Sequence, residues 1–203
     1  WSKQEFIPVM AHEPNSRNTW APEITFDEKS KSYMIYWAST IDGKFPETKS
    51  NDEKGYNHRI YYTITNDFKK FSKTKLLYEP GFNVIDASIV KQGDEFVMFL
   101  KDETKEPVQK NIKIATSKNL IGPYTKASST ITGDYWAEGP TAIQIDGKWI
   151  VYFDKYALKK YGAIKQTETG WEYISDKVSF LQGTRHGTVI KVSPEIISNL
   201  KKE

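Results

Sequence analysis

Three segments of this chain repeat one design: a carboxylate ahead of an alternating strand, a tight turn, and then an aromatic-led strand. The segments are residues 20–37, 85–103 and 137–156. Aligned on the turn, they place Glu23, Asp86 and Glu138 at matching positions, within one residue. A fold that repeats its supersecondary unit can bring equivalent positions to a common centre. Carboxylates that converge in a cleft cleave glycosidic bonds, so this spacing predicts a site for that chemistry.

Strands with period-2 alternation dominate the chain and must position these carboxylates. Turn residues separate the strands, and Asp146-Gly147 is the signature of a two-residue hairpin. After each hairpin the sequence predicts a third strand, at residues 59–65, 113–117 and 162–166. A weaker fourth stretch with an aromatic residue follows at 68–71, 123–124 and 170–173. Four short strands over roughly 50–60 residues are typical of one β-propeller blade.

The pattern therefore predicts a single all-β domain over residues 1–203, with about three full four-stranded blades and parts of two more. The blades are expected near residues 20–75, 82–130 and 135–180, with a closing strand at 183–192. One short helix is predicted at 194–200, with Ser193 as its N-cap and Pro194 at its first position. The polar residues 41–57 are predicted to form a long, mobile insertion.

The composition excludes several classes of protein. The net charge is +3 and the basic residues are interspersed with acidic ones, so we expect no nucleic-acid partner. There is no cysteine, which excludes disulfides and thiolate metal sites. No apolar run approaches the ~18 residues that span a bilayer, and no signal peptide is visible, so we expect no membrane partner.

Five motifs spread over nearly the whole chain resemble glycoside hydrolase family 43 and its five-bladed β-propeller relatives. They are NTWAPEI at 18–24, VIDASI at 84–89, FLKDE at 99–103, EGPT at 138–141 and RHGTV at 185–189. They occur in the same order as in the family. Each motif alone is a weak indication of the family, but the five together are specific for it. The resemblance implies a five-bladed β-propeller whose first blade is missing from this chain, because Trp1 resembles the end of that blade.

The resemblance implies an inverting hydrolysis of arabinofuranosyl or xylosyl linkages in plant polysaccharides, carried out by three carboxylates. The EGPT motif implies that Glu138 is the general acid, and the IDAS motif implies that Asp86 tunes its pKa and orients it. The general base belongs to the first blade and has no match in this chain, so we expect the 203-residue piece to be inactive. For such an enzyme we expect an extracellular or periplasmic location.

A general acid must hold its proton near neutral pH, so the pKa of Glu138 is expected to be raised. Asp86 supplies a like charge, and Trp136 and Pro140 supply apolar surroundings, which both act in that direction. The alternative is structural: Glu138 and Asp86 cap strands or accept backbone N–H bonds where the blades begin.

Five side chains are candidates for substrate contact. Trp20, Phe82 and Trp136 stand near the starts of the inner strands, where they would line a pocket or pack between blades. Lys101, in a charged pair with Asp102 at the end of a strand, would bind sugar hydroxyls or form a surface ion pair. Arg185 would bind substrate or pair with Asp86, and an Arg beside a catalytic carboxyl lowers the pKa of that carboxyl.

A cofactor is not required for this chemistry, and a structural Ca²⁺ is the metal to consider. The resemblance implies that His186 lies near the propeller axis and contacts calcium through water. The chain has no Asp-x-Asp-x-Asp-Gly loop, so a buried, hydrogen-bonded His186 is the alternative. The expected partner is an oligosaccharide or polysaccharide, and the sequence does not decide the oligomeric state.

Two other functions are open at this point. The first is a carbohydrate-binding propeller without catalysis, because no general base is visible in the chain. The second is a protein-interaction propeller, which lacks support because no Gly-His…Trp-Asp repeat is present. An Asp in an innermost-strand motif upstream of Trp1 would favour the enzyme over the binding protein.

Overall fold

The computed structural model describes residues 3–48 and 54–200, which form an almost entirely β structure. The strands are β1 (Trp20–Asp27), β2 (Ser32–Ser39), β3 (Arg59–Thr65), β4 (Lys75–Tyr78), β5 (Val84–Gln92), β6 (Glu95–Asp102), β7 (Asn111–Ser117), β8 (Glu138–Ile145), β9 (Lys148–Lys155), β10 (Lys160–Gln166) and β11 (Trp171–Tyr173). A short helix, α1, covers Pro194–Leu200 as the sequence predicts.

The strands form three antiparallel sheets, each a meander whose first strand lies innermost. The first sheet has the order β1-β2-β3-β4, the second β5-β6-β7 and the third β8-β9-β10-β11. The Asp146-Gly147 hairpin turn joins β8 to β9, with φ of 52° and 72° at its two residues, as a type I′ turn requires. The all-β prediction is confirmed, and the third strand of each predicted blade is present.

The predicted fourth strands are correct in one sheet of three. In the first sheet, residues 68–71 follow a turn in which Asp67 accepts the N–H groups of Lys69 and Lys70, both at 2.9 Å, so the outer strand forms later as β4. In the third sheet, β11 falls within the predicted stretch 170–173.

The second sheet has three strands because its outer segment bonds in an irregular way. Thr125, Ser128 and Ile131 donate backbone N–H groups to carbonyls of β7 at 2.8, 2.8 and 2.9 Å. The N–H groups of β7 in turn donate to the hydroxyl oxygens of Thr125, Ser128 and Thr132 instead of to backbone carbonyls. The segment advances three residues for every two of β7, so it runs beside the sheet without becoming a regular strand.

The three sheets pack face to face, and their innermost strands contact one another. One apolar cluster, which includes Met34 and Met98, lies between the first and second sheets, and another, which includes Phe99 and Phe153, lies between the second and third. The strand β5 contacts both β1 and β8. This radial arrangement is what a propeller requires, with sheets as blades around a common centre.

Each innermost strand carries a β-bulge at the same place. The register slips between Trp20 and Glu23, between Ile85 and Ser88, and between Glu138 and Thr141. The bulged residues Ala21, Asp86 and Gly139 have positive φ of 49°, 54° and 55°. When the three innermost strands are aligned on their bulges instead of on their turns, the carboxylates no longer share one position. Asp86 is the bulged residue, Glu138 lies one residue before the bulge, and Glu23 lies two residues after it. A bulge re-aims the side chains beside it, so the offset decides which carboxylates point together.

The closing strand predicted at 183–192 is wrong, because these residues are irregular in the structure. They run along the innermost strands through side-chain bonds: the Val189 N–H donates to Thr141 Oγ1 and the Thr188 hydroxyl donates to Glu23 Oε1, both at 2.9 Å. Bonds to side chains do not build the backbone ladder that defines a strand.

Both described ends of the insertion 41–57 are held by the buried Arg59. Its guanidinium donates to Asn57 Oδ1 at 3.0 Å and to the Thr48 hydroxyl, and lies 4.4 Å from the centre of the Phe45 ring. The predicted mobility therefore does not apply to these ends, and residues 49–53 lie outside the described residues, as do Trp1, Ser2 and 201–203. Within the described ranges, no helix is long and apolar enough to cross a membrane.

We expect the buried hydroxyl of Tyr36 to stabilise the contact between the first and second sheets. It accepts the N–H of Ile89 in β5 at 2.8 Å. Tyr36→Phe leaves that N–H without an acceptor and should lower the free energy of unfolding by about 1–3 kcal/mol in urea titration. Tyr62→Phe is the control, since no hydroxyl bond of Tyr62 occurs within the described ranges; its effect should stay below about 0.5 kcal/mol. Equal effects of the two variants would contradict this role.

Candidate active site

A cavity of about 260 Å³ lies where the three innermost strands meet, and we call it the hub. Its lining residues are Ala21, Pro22, Glu23, Asp86, Ala87, Gly139, Pro140, His186, Gly187 and Thr188. All three bulges contribute to it, together with the irregular segment 183–192. Asp86 and Glu138 come together as predicted: one carboxylate oxygen of each and a ring nitrogen of His186 all lie within 4.8 Å of one another.

Asp86 joins the second sheet to the third. Its Oδ2 accepts the N–H of Gly139 at 2.9 Å, and its side chain is buried. It occupies the left-handed region, which aspartate tolerates better than most residues. Burial raises the pKa of Asp86, and this outweighs the lowering by Lys101 and by the Gly139 N–H.

Glu138 lies in the midst of three positively charged or ionisable side chains. Its Oε2 is 2.9 Å from Lys101 Nζ, and its Oε1 is 3.0 Å from His186 Nε2. Arg185 Nη2 lies 3.4 Å from the same Oε1. Burial raises the pKa of Glu138, but the hydrogen bond from His186 and the charge of Lys101 outweigh it and lower the pKa to about 2. The expected raised pKa is therefore reversed in this arrangement.

Lys101 lies behind Glu138 with 4% of its side chain exposed. Its ammonium group also contacts Glu103 Oε2 at 2.5 Å and lies 4.5 Å from the centre of the Tyr156 ring. Burial lowers the pKa of Lys101, but the charges of Glu103 and Glu138 raise it by more than burial lowers it, so the side chain keeps its proton. The predicted surface pair of Lys101 with Asp102 is wrong: Lys101 forms buried ion pairs with Glu103 and Glu138, and Asp102 pairs with Lys113 at 2.7 Å. Contact of Lys101 with substrate stays a prediction.

Arg185 and His186 reach Glu138 from the irregular segment 183–192. The Arg185 Nε donates to Asp154 Oδ2, so its carboxylate partners are Asp154 and Glu138 instead of Asp86. His186 is half exposed, with 46% of its side chain accessible, so the prediction of a buried histidine does not hold. Its hydrogen bond to Glu138 raises the pKa of His186. The ring packs on Gly139, where an added Cβ would lie 2.9 Å from Nδ1.

Asp154 is a site residue that the sequence reading missed. It is fully buried at the end of β9, directly across from Glu138. Lys101 occupies the equivalent cross-strand position in the second sheet, opposite Ile85. Counting residues outward from the Asp146-Gly147 turn pairs Glu138 with Asp154 only once the bulge is included, and a regular register places Lys155 there instead, so the sequence alone gave no signal for Asp154.

The candidate aromatic side chains divide into two groups. Trp20 and Trp136 are about half exposed, at 43% and 44%, near the starts of β1 and β8. Phe82 packs against the cluster between the first and second sheets, and Lys113 Nζ lies 5.0 Å from the centre of its ring. The structure therefore leaves the two tryptophans available to a ligand and places Phe82 largely in the core.

Glu23, the third carboxylate of the sequence repeat, also lines the hub. Burial raises the pKa of Glu23, against the lowering by the Thr188 hydroxyl that donates to it.

The cluster of Asp86, Glu138 and His186 does not fit a directly coordinated calcium ion. Ca²⁺ takes six to eight oxygen ligands, whereas this cluster offers two carboxylates and an imidazole nitrogen. The carboxylate of Glu138 already has Lys101 on one oxygen and His186 on the other. A contact of His186 with calcium through water stays a prediction.

Comparison with known proteins gives consistent likenesses. A family model described as "Probable glycosyl hydrolase domain" matches residues 1–196. An alpha-L-arabinofuranosidase of Bifidobacterium longum subsp. longum is 30% identical over 131 residues, which are 59% of this chain and 12% of that protein. The chain thus spans about an eighth of the length of this curated relative.

Solved structures with the same fold include alpha-L-arabinofuranosidase from Lactobacillus brevis, with a TM-score of 0.59 and 18% identity over 79% of this chain and 56% of that one. Another is a family 43 β-xylosidase/α-arabinofuranosidase from a compost microbial metagenome, solved with xylotriose in a calcium-free form. Its TM-score is 0.50, with 19% identity over 66% of this chain and 42% of that one. By its match over residues 1–196, the chain belongs to the family of probable glycosyl hydrolase domains related to glycoside hydrolase family 43.

Proposed function

We propose that this chain carries the general acid of an inverting glycosidase that acts on arabinofuranosyl or xylosyl linkages of plant polysaccharides. The observation that supports it best is the approach of Glu138 to Asp86, which lines the hub, with a carboxylate oxygen of each within 4.8 Å of the other, in a member of a glycosyl hydrolase family. The relatives named above are arabinofuranosidases and a xylosidase, which supports pentose as the sugar class. Because the proposed substrate is a polysaccharide, we propose an extracellular or periplasmic location for the enzyme.

In this proposal Glu138 donates a proton to the leaving oxygen, and Asp86 tunes and orients it. An ionised Glu138 cannot donate a proton, so its contacts must change when substrate binds. Arg185 and His186 have 54% and 46% of their side chains exposed and belong to an irregular segment. When a sugar takes their place at Oε1, less positive charge remains beside Glu138 and its pKa rises.

The remaining machinery is divided between this chain and other polypeptide. Trp20 and Trp136 offer half-exposed ring faces to the C–H surfaces of sugars, and Arg185 offers donors to their hydroxyls. Lys101 acts through Glu138, which it orients. The general base, whose carboxyl must lie about 6.5–9.5 Å from that of the acid so that a water fits between them, is supplied from outside these residues in this proposal, and we expect the 203-residue chain alone to be inactive.

One observation favours a second function, carbohydrate binding without catalysis. The pKa of Glu138 is lowered to about 2 by His186 and Lys101 against the effect of burial, and a permanently ionised carboxylate suits a hydrogen-bond acceptor for sugar hydroxyls. Both functions use the residues of the hub. They differ in whether a general base from other polypeptide is present to activate water.

We expect Glu138→Gln to abolish the general-acid step in the longest polypeptide that the gene encodes. Hydrolysis of aryl arabinofuranosides and xylosides with poor leaving groups should fall by about 10²–10⁴-fold, because the departing oxygen is no longer protonated. Good leaving groups need little protonation and should be affected much less.

Glu172→Gln is the matched control, since Glu172 is an exposed carboxylate of β11 that pairs with Lys177 at 2.5 Å. It should leave the rate unchanged. The 203-residue chain should show no turnover in the same assay. An unchanged rate for Glu138→Gln on poor leaving groups would refute the acid assignment, and turnover by the short chain would show that the base lies within it.

The charge around Glu138 can be tested by following its carboxyl carbon by NMR as the pH is varied. In the wild-type chain, Glu138 should stay ionised until the pH falls to its pKa of about 2. His186→Ala removes a hydrogen-bond donor and a charge, so the pKa of Glu138 should rise toward its ordinary value. His12→Ala, which changes an exposed histidine elsewhere, should leave it unchanged.

The contacts of Glu138 with His186 and Lys101 also make the stability of the fold depend on pH. Because the folded pKa of Glu138 lies below its unfolded value, these contacts stabilise the fold above pH ~4.5, and their contribution is lost as the pH falls toward 2. The stability difference between the wild type and Glu138→Gln should shrink over this range. A difference that is constant with pH would contradict the lowered pKa.

A further inference from the structure

A second cavity, of about 380 Å³, lies at the outer strands β10 and β11 of the third sheet. Its walls include Ile131, Tyr135, Lys155, Ile164, Trp171 and Tyr173, and it shares no lining residue with the hub. The volume falls within the range of small-molecule sites, about 300–1,000 Å³. Tyr173 is 41% exposed, so the cavity is reached from solvent on that side.

Lys155 is a buried lysine of this cavity that has no carboxylate partner. It is 6% exposed and is one of three buried lysines in residues 3–48 and 54–200. The other two, Lys101 and Lys110, each pair with Glu103 at 2.5 Å. Among the residues that the structure describes, the Lys155 ammonium has one hydrogen-bond acceptor, the Tyr173 hydroxyl at 2.5 Å, and no carboxylate at ion-pair distance. Buried lysines are usually paired, and an ammonium has three donors, so two donors remain for a ligand.

Comparison of the second and third sheets shows which partner Lys155 lacks. The position of Lys155 is equivalent to that of Asp102, which pairs with Lys113 at 2.7 Å. The residue equivalent to Lys113 is Gly162, where an added Cβ would lie 3.2 Å from Lys155 Cε. The third sheet therefore has a charge of opposite sign at this position, with a glycine where the partner would stand.

Two tyrosine rings hold the ammonium in place. Lys155 Nζ lies 4.6 Å from the centre of the Tyr173 ring and 5.4 Å from that of Tyr135. The two ring centres are 6.3 Å apart, with 61° between the ring planes. Ring faces attract a cation without neutralising it, so a positive charge is retained beside the cavity.

We propose that this cavity is a binding site for a small aromatic carboxylate. The carboxylate accepts the two remaining N–H groups of Lys155, and the aromatic ring packs against Trp171 and the neighbouring apolar side chains. Such a ligand supplies the missing counter-charge, which is worth most where water is excluded. The site goes beyond the proposed action on glycosides and does not depend on it.

The lining favours an aromatic acid over a sugar acid. Ile131, Ile164 and Trp171 offer apolar surface. The Thr132 hydroxyl, which also lines the cavity, already accepts the N–H of Ile112 at 3.2 Å. A sugar acid brings several hydroxyls that lose their water partners on burial, which costs free energy unless the protein replaces them. An aromatic ring has no such groups and packs well against other rings.

The test is calorimetric titration of the 203-residue chain with cinnamate, with its neutral analogue cinnamamide and with glucuronate. Cinnamate should bind about tenfold or more tightly than cinnamamide, because only the carboxylate pairs with the ammonium. Glucuronate should bind more weakly than cinnamate. Lys155→Met keeps an unbranched side chain without the charge and should abolish the preference for cinnamate over cinnamamide. Trp171→Leu should weaken both aromatic ligands by about threefold or more and keep that preference.

Lys177→Met is the matched control, since it removes an exposed lysine that pairs with Glu172 at 2.5 Å. It should change no affinity. Equal binding of cinnamate and cinnamamide, tighter binding of glucuronate, or an unchanged preference in Lys155→Met would each overturn the proposal. If none of the three ligands binds, Lys155 only braces the tyrosine rings and the proposal is likewise wrong. Circular dichroism separates loss of fold from loss of binding, and the comparison of ligands on the wild-type chain stays decisive if a variant unfolds.

Discussion

The β-bulge at the start of each innermost strand is the constraint on which the site depends. A regular strand would point alternate side chains to the two faces of its sheet, so none would be directed at the common centre. The bulge inserts one residue at positive φ and re-aims its neighbours. In β5 the inserted residue is Asp86 itself, and in β8 it is Gly139, whose N–H bonds Asp86. The two sheets are therefore joined by the residues that could do chemistry.

Glycine suits position 139 for two independent reasons. Its φ of 55° is strained for a residue with a side chain, and an added Cβ would lie 2.9 Å from the His186 ring. The close approach lets the imidazole lie beside Glu138, one residue earlier in the chain. The Glu-Gly-Pro motif thus encodes a backbone geometry as much as a candidate catalytic group: the glutamate supplies the charge, and the glycine admits the histidine that compensates it.

Much of this arrangement follows from the sequence. Period-2 alternation and the Asp146-Gly147 turn give the strands and hairpins, because both are local properties of the chain. The bulges do not follow, since a one-residue slip leaves the alternation on each side intact. That slip displaced Glu23 in the alignment and concealed Asp154 opposite Glu138. The irregular outer segment beside β7 was likewise hidden, because its hydroxyl acceptors replace carbonyls without altering the hydropathy pattern.

The pKa of Glu138 shows why charges are harder to read than strands. Sequence neighbours Trp136 and Pro140, together with Asp86, all suggested a raised value. The lowering comes from Lys101, 37 residues away in the chain, and from His186, 48 residues away, and both lie within 3.0 Å. Coulomb energies depend on such distances and on burial, neither of which is local in sequence. The half-exposed His186 contact is the one a ligand can replace, whereas the buried Lys101 contact persists. In the proposed mechanism, the chemistry of Glu138 therefore depends on whether a sugar displaces the histidine, which would couple substrate binding to the protonation of Glu138.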